Sequence, residues 1–233
     1  MKSKLIPYVT PWAFLDEFRA GKPENKAAGK PLFSGEWPVM PEMFRISTYR
    51  YGERPCFTIY EPDRISLTYN EALAKIEAAA RALRAQGIKK GDKVAVTGKN
   101  APEWTVAYLA VLFANATVVP IDYQLKNTES DLLIKTSQAK ILFVDEEKHE
   151  HYKTTPIGSV TEVYSLKAGV GSYIYDLDGP AWENTDPVSE RDLAAILFTS
   201  GTTGIPKGVM LTHQNLVADC YLSQGTPLVL YST

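Results

Sequence analysis

A chain of 233 residues has ample length to bury a core as one large domain or two small ones, and its 45% hydrophobic and 22% charged make-up is that of a soluble globular protein. A net charge of −2 gives no electrostatic case for a nucleic-acid partner, and two cysteines far apart in sequence, Cys56 and Cys220, suggest neither a disulfide framework nor a zinc site. The N-terminus MKSKLIPYVTPWAFLDEF lacks the continuous apolar stretch of a signal peptide, and no segment approaches the roughly 20 apolar residues of a spanning helix, so the reading is cytoplasmic.

Residues 1–35 read as an N-terminal extension and linker, and 36–233 as one α/β domain. Trp12, Phe14, Leu15 and Phe18 form a short amphipathic piece ahead of a Lys/Ala/Gly/Pro stretch from Gly21 to Lys30. These aromatics are read as docking on the protein, with peripheral membrane contact as the alternative. Pro41 opens a helix through about Tyr51, and Cys56 to Tyr60 and Ile65 to Tyr69 read as paired strands across a turn at Pro62 and Asp63.

Thr68 with Glu71 makes a capping box, Leu73, Ile76, Ala80 and Leu83 share one helical face, and Gly87 is placed to end the helix. An apolar strand, Val94 to Thr97, leads to Asn100 as a cap, Pro102 in the first turn and a helix through Ala114 whose Trp104, Tyr108, Val111 and Leu112 are core residues. A strand from Thr117 to Ile121, a helix from about Glu129 to Gln138 and a strand from Ile141 to Val144 complete two βαβ units. Such units call for a parallel sheet with right-handed crossovers, and their continuous apolar strands suit a sheet covered on both faces. Further on, the pattern gives a short helix near Glu146 to Tyr152, strands near Thr161 to Leu166 and Ser172 to Tyr175, and a polar loop from Asp178 to Arg191.

The chemistry concentrates after a last apolar strand, Ala194 to Phe198. Thr199, Ser200, Gly201, Thr202, Thr203, Gly204, Ile205, Pro206, Lys207 and Gly208 hold four hydroxyls, three glycines and one lysine. Glycines let backbone N–H groups turn toward an anion, hydroxyls add donors and the lysine adds a compact positive charge, so the run has the composition of a phosphate-binding loop. It is not a Walker loop. Counted from Gly201, Pro206 stands where that motif needs its second glycine, and Lys207 is followed by Gly208 rather than by a hydroxyl residue that ligates magnesium. A short strand, Val209 to Leu211, and a helix begun at His213 follow.

The remaining candidates are weaker. His149 and His151 among Glu146, Glu147 and Glu150 read as a solvated helix face rather than a metal site. His213 reads as a capping or core hydrogen-bonding residue or as a substrate contact. Asn115-Ala116-Thr117 matches a glycosylation acceptor but lies against a buried strand. Gly169-Val170-Gly171 begins like a dinucleotide fingerprint, yet Ile174 occupies the third glycine's place, and the lack of a Gly-x-Ser-x-Gly elbow means that Ser200 is not placed as a hydrolase nucleophile.

The run TSGTTGIPKGVMLTHQN closely resembles the phosphate-loop motif of the adenylate-forming superfamily, which includes acyl-CoA synthetases, luciferases and peptide-synthetase adenylation domains. The stretch LTYNEALAKIEAAARALRAQGIKKGDKVAVTGKNAPEWTVAYLAVLFANATVVPIDYQL, continued by TESDLLIKTSQAKILFVDE, is similar to the early core of fatty acyl-CoA synthetases, so the likeness covers roughly Met40 to Asn215. It implies an enzyme that converts ATP and a fatty or other carboxylic acid into an acyl-adenylate and pyrophosphate, and then uses CoA to release AMP and a thioester, with Mg2+ accompanying the nucleotide. By matching positions, Thr199, Ser200, Gly201, Thr202, Thr203 and Gly204 would wrap the β- and γ-phosphates and Lys207 would act as the catalytic cation. The resemblance also implies later elements: a Tyr-Gly-x-Thr-Glu adenine segment, a ribose-binding aspartate, a hinge and a C-terminal domain with the adenylation lysine. Tyr51-Gly52 is followed by Glu53-Arg54-Pro55 and does not supply the first. The expectation is an N-terminal fragment of a fatty-acid-CoA ligase that is inactive and binds ATP weakly without its C-terminal remainder. The alternatives are an aryl-acid or amino-acid adenylation enzyme and a non-catalytic nucleotide-binding module.

Overall fold

A computed structural model describes residues 37–61, 64–155, 157–199 and 206–225, with backbone only over 221–225. The expected aromatic piece at Trp12 to Phe18, the linker after it and the turn at Pro62 and Asp63 lie outside these. In chain order the elements are α1 (Met40–Tyr51), β1 (Pro55–Ile59), β2 (Ile65–Thr68), α2 (Tyr69–Ala85), β3 (Lys93–Thr97), α3 (Pro102–Phe113), β4 (Thr117–Ile121), α4 (Asn127–Ser137), β5 (Ile141–Val144), α5 (Glu146–Thr154), β6 (Glu162–Ser165), β7 (Leu193–Thr199), β8 (Lys207–Thr212) and α6 (His213–Gly225). A single 3-10 turn, Ile174–Asp176, lies between β6 and β7.

The capping box behaves as its chemistry dictates: Glu71 N–H donates to Thr68 Oγ1 at 3.2 Å and Thr68 N–H donates to Glu71 Oε2 at 2.8 Å. Gly87 closes α2 at φ +86°. Two expectations give way. The N-cap of α3 is Ala101 and makes no side-chain cap bond, so Asn100 is not the cap. The segment Ser172 to Tyr175 is not a strand; only Tyr173 bridges, to Ser165, before the chain turns into the 3-10 piece.

The six-stranded sheet has the order β6-β5-β3-β4-β7-β8, parallel throughout except for β8, which runs antiparallel to β7. Its strands are apolar on both faces because both faces are covered. Val94, Val96, Val118 and Phe143 pack with α2 and α3 residues such as Ile76, Leu83, Val111 and Leu112, with Trp104 and Tyr108 half-buried against them. Ala95, Val119, Leu142 and Val144 turn the other way, onto Leu133 and Ile134 of α4 and Tyr152 of α5. The small antiparallel pair β1–β2 stands apart from this sheet.

The α5 segment is not a solvated face. Lys148, His149 and Tyr152 are buried, while Glu146, Glu147, Glu150, Lys153 and Thr154 are exposed. Gly171 explains part of this: its φ is +67°, and a Cβ there would lie 2.3 Å from His149 Nε2. Gly171→Ala is therefore expected to reduce stability by roughly 1–3 kcal/mol in urea unfolding, through left-handed strain and displacement of the imidazole.

Candidate functional site

The strands β3, β4, β5, β6 and β7 are parallel, so Thr97, Ile121, Val144, Ser165 and Thr199 all end at one edge of the sheet. That carboxyl edge is where open α/β sheets bind ligands. Thr199 is the last residue of β7 and Lys207 the first of β8, and the two are register partners. Thr199 Oγ1 also reaches the Lys207 carbonyl at 3.5 Å. Lys207 thus stands on a strand longer than the expected Val209 to Leu211, and a hydrogen-bonded ladder holds both ends of the loop together at the sheet edge. Ser200, Gly201, Thr202, Thr203 and Gly204 lie outside the described residues.

Beside these ends is a cleft of about 640 Å³. Pro120 and Ile121 from β4, Leu125, Leu132 and Leu133 from the β4–α4 corner, and Phe198 and Pro206 from the hairpin give it apolar walls. Thr199, Asp122 and Glu129 supply the polar part. Both carboxylates serve local turns: Asp122 Oδ1 accepts from Gln124 N–H and Glu129 Oε2 from Lys126 N–H, each at 2.9 Å. Sequence periodicity had marked α4 but not this wall, because the corner residues converge with Phe198 only through the β4–β7 pairing.

The hairpin is anchored at its far end by His213, which is fully buried. Its Nδ1 accepts the Met40 N–H at the start of α1 at 3.3 Å, and its own N–H donates to the Asp192 carbonyl at 3.1 Å. The ring proton therefore sits on Nε2, which has no hydrogen-bond partner among the described residues. Burial pushes this imidazole down to about 4, against a smaller opposing pull from Asp192 and a further push from Lys90. His213 is thus a core hydrogen-bonding residue that joins β8, α1 and the segment leading into β7.

That segment, 178–192, is strapped to α2 and the turn after it by Arg81–Asp178 at 2.8 Å, Arg84–Asp186 at 3.0 Å and Lys90–Asp192 at 2.8 Å, and Arg84 stacks over Trp182 at 4.1 Å. Asn115 is buried and donates to Asn184 Oδ1 at 2.7 Å and the Asp186 carbonyl at 2.9 Å, so its amide is committed to the strap. Cys56 and Cys220 are free thiols. Among the described residues no grouping of His, Cys, Asp and Glu is arranged to hold a metal ion, and no helix is long and apolar enough to cross a membrane.

The sequence profile of the AMP-binding enzymes matches residues 44–230. The chain is 34% identical over 191 residues to a feruloyl-CoA synthase of an Amycolatopsis species, covering 80% of this chain and 34% of that protein. It is 34% identical over 194 residues to surfactin synthase subunit 1 of Bacillus subtilis (strain 168), covering 83% of this chain and 5% of that one. Among solved structures, the long-chain-fatty-acid-CoA ligase of Archaeoglobus fulgidus superposes with a TM-score of 0.70 at 25% identity, over 83% of this chain and 41% of that one. The N-terminal subdomain of Klebsiella oxytoca NpsA in complex with 3-hydroxybenzoyl-AMSN superposes with a TM-score of 0.62 at 26% identity, over 76% of this chain and 41% of that one. The chain spans about a third of the length of the feruloyl-CoA synthases it matches. With its parallel α/β sheet and a hydroxyl- and glycine-rich sequence between Thr199 and Lys207, the chain belongs to the AMP-binding enzyme family of adenylate-forming enzymes and corresponds to the N-terminal part of their fold.

Proposed function

We propose that this chain is the N-terminal portion of an ATP-dependent acid–thiol ligase, a fatty-acid-CoA ligase, and that residues 199–207 handle the β- and γ-phosphates of ATP. The observation that carries this reading is the pairing of Thr199 with Lys207 at the carboxyl edge of the parallel sheet. The ladder brings a hydroxyl and a cation to the two ends of a loop that holds Ser200, Gly201, Thr202, Thr203 and Gly204 between them.

In the reaction a carboxylate oxygen attacks the α-phosphorus of ATP, the bond to the bridging oxygen breaks and pyrophosphate leaves. The CoA sulfur then attacks the acyl carbonyl and AMP departs. Negative charge grows on the departing pyrophosphate, so loop donors and the Lys207 ammonium bind the transition state more tightly than the ground state. Magnesium would travel with the nucleotide phosphates and balance their charge. Thr199 and Lys207 orient the polyphosphate, and the apolar walls at Leu125, Leu133 and Phe198 limit water on one side of it.

A second reading, an aryl-acid ligase, is favoured by the 34% identity to feruloyl-CoA synthase. ATP–pyrophosphate exchange by the protein, as this chain and joined to the remainder of its polypeptide, should be measured across saturated fatty acids and hydroxycinnamic acids. Exchange with fatty acids is the expected result, with the isolated chain giving no acyl-CoA. Preference for hydroxycinnamates would replace the fatty-acid assignment, and exchange with no acid would remove carboxylate activation altogether.

A further inference from the structure

We propose that the β7–β8 end of the sheet is a docking surface for the polypeptide that continues beyond Thr233. That polypeptide adds a strand along the free side of β8 and covers both faces of the hairpin. The inference rests on the reading of this chain as the N-terminal portion of a longer ligase. β8 is the last strand in the order β6-β5-β3-β4-β7-β8, so one of its sides has no neighbouring strand among the described residues. Leu197 and Val209 are register partners on β7 and β8 and are 38% and 44% exposed, and Met210, paired with Ile196, is 68% exposed. Cross-strand partners share a face. Ile196 packs on the α4 side of the sheet, and Ala195 and Leu211 on the α2–α3 side. Met210 therefore opens to the first face, and Leu197 with Val209 to the second.

A lone exposed apolar side chain is ordinary, but three on adjoining strands, on both faces of one sheet end, are not the pattern of a solvated edge. Strands apolar on both faces belong to sheets covered on both faces, as β3, β4 and β5 are by the helices of this chain. Edges that stay in water are blunted by charges, proline, bulges or a covering segment. The opposite edge of the sheet meets this requirement. β6 begins with the exposed Glu162, and at its end Ser165 N–H donates to the Ser172 carbonyl at 2.8 Å where Tyr173 bridges to it. β8 carries one charge, Lys207 at its start, followed by Gly208, Val209, Met210, Leu211 and Thr212. The occupant follows from length, since the chain spans about a third of the feruloyl-CoA synthases it matches. It follows also from position: α6 starts at His213 directly after β8 and its Leu216 packs in the α2–α3 layer, so the onward chain leaves from the layer that borders the strand it covers.

The test compares this chain with the longer polypeptide by deuterium uptake and thermal unfolding, with ATP–pyrophosphate exchange run beside them. β8 amides on the side away from β7 should take up deuterium at least about tenfold more slowly in the longer polypeptide. Met210→Lys and Val209→Lys should leave the unfolding midpoint of this chain within about 1 °C, since both side chains are exposed in it, and lower that of the longer polypeptide by about 5 °C or more. Equal β8 uptake in the two proteins, or equal shifts of their midpoints, would overturn the proposal. A dimer of this chain that persists in the longer polypeptide and is dissociated by Met210→Lys would overturn it too, by making a second copy the occupant. If the lysine variants of the longer polypeptide fail to fold, deuterium uptake by the unsubstituted proteins decides. A protected β8 without acid-dependent ATP–pyrophosphate exchange removes the ligase reading and leaves the docking surface; acid-dependent exchange with β8 unprotected does the reverse.

Discussion

Lys207→Ala is expected to lower carboxylate-dependent ATP–pyrophosphate exchange by about 100-fold or more, the scale on which removal of one oxyanion-stabilising donor acts. The side chain is exposed at the start of β8 while its backbone is fixed opposite Thr199, so the substitution removes a charge without removing a packed group. Two unit charges about 4 Å apart interact by roughly 4 kcal/mol at an effective dielectric near 20 but about 1 kcal/mol in bulk water. On the proposed mechanism the loss falls mainly on the water-poor site from which pyrophosphate departs. Thermal unfolding of the variant should match the parent, and Lys207→Arg should recover part of the rate. Unchanged exchange in Lys207→Ala would take the residue out of the mechanism.

Acid should weaken the fold through His213. Its imidazole titrates near 4 when folded and near the ordinary 6.5 when unfolded. Between those values the unfolded chain holds the extra proton, so stability rises with pH from about 4 to 6.5 and is lost as pH falls through that window. A shift of this size corresponds to roughly 3 kcal/mol. The structural reason is burial of the ring, and a proton on Nδ1 would in addition face the Met40 N–H it now accepts from. Asp145, whose carboxyl is held above its usual range, gives a trend of opposite sign and is present in parent and variant alike. The measurement is urea unfolding of the parent and of His213→Gln at several pH values. The parent should lose stability faster than the variant as pH falls, and parallel curves would refute the assignment.

These two residues mark different degrees of legibility. Lys207 is proposed from its company alone, because a phosphate loop would be a local arrangement of glycines, hydroxyls and a cation. For His213 the sequence left a capping, a core hydrogen-bonding and a substrate-contact role open, since the acceptor bond that decides for the core role reaches a backbone group 173 positions away. The helices and central strands were equally local. The Thr68–Glu71 box, the face through Ile76, Ala80 and Leu83, and the apolar runs at Val94 and Ile141 each carry their own instruction, and the structure follows them. Where the instruction was a single polar residue, as at Asn100, or a short aromatic run, as at Ser172 to Tyr175, the backbone went elsewhere because tertiary contacts outweigh a weak local preference.

The sequence by itself determined the parallel α/β class, the capped helix α2 and the hydroxyl, glycine and lysine composition of 199–208, because periodicity, capping and composition act over one or two turns of chain. Only the tertiary structure decided that β8 returns antiparallel beside β7, that Lys148 and His149 are inside rather than on a wet helix face, and that Leu125 and Phe198 share a cleft. Strand order and burial are set by which faces meet across the fold, and no short stretch of sequence contains that information.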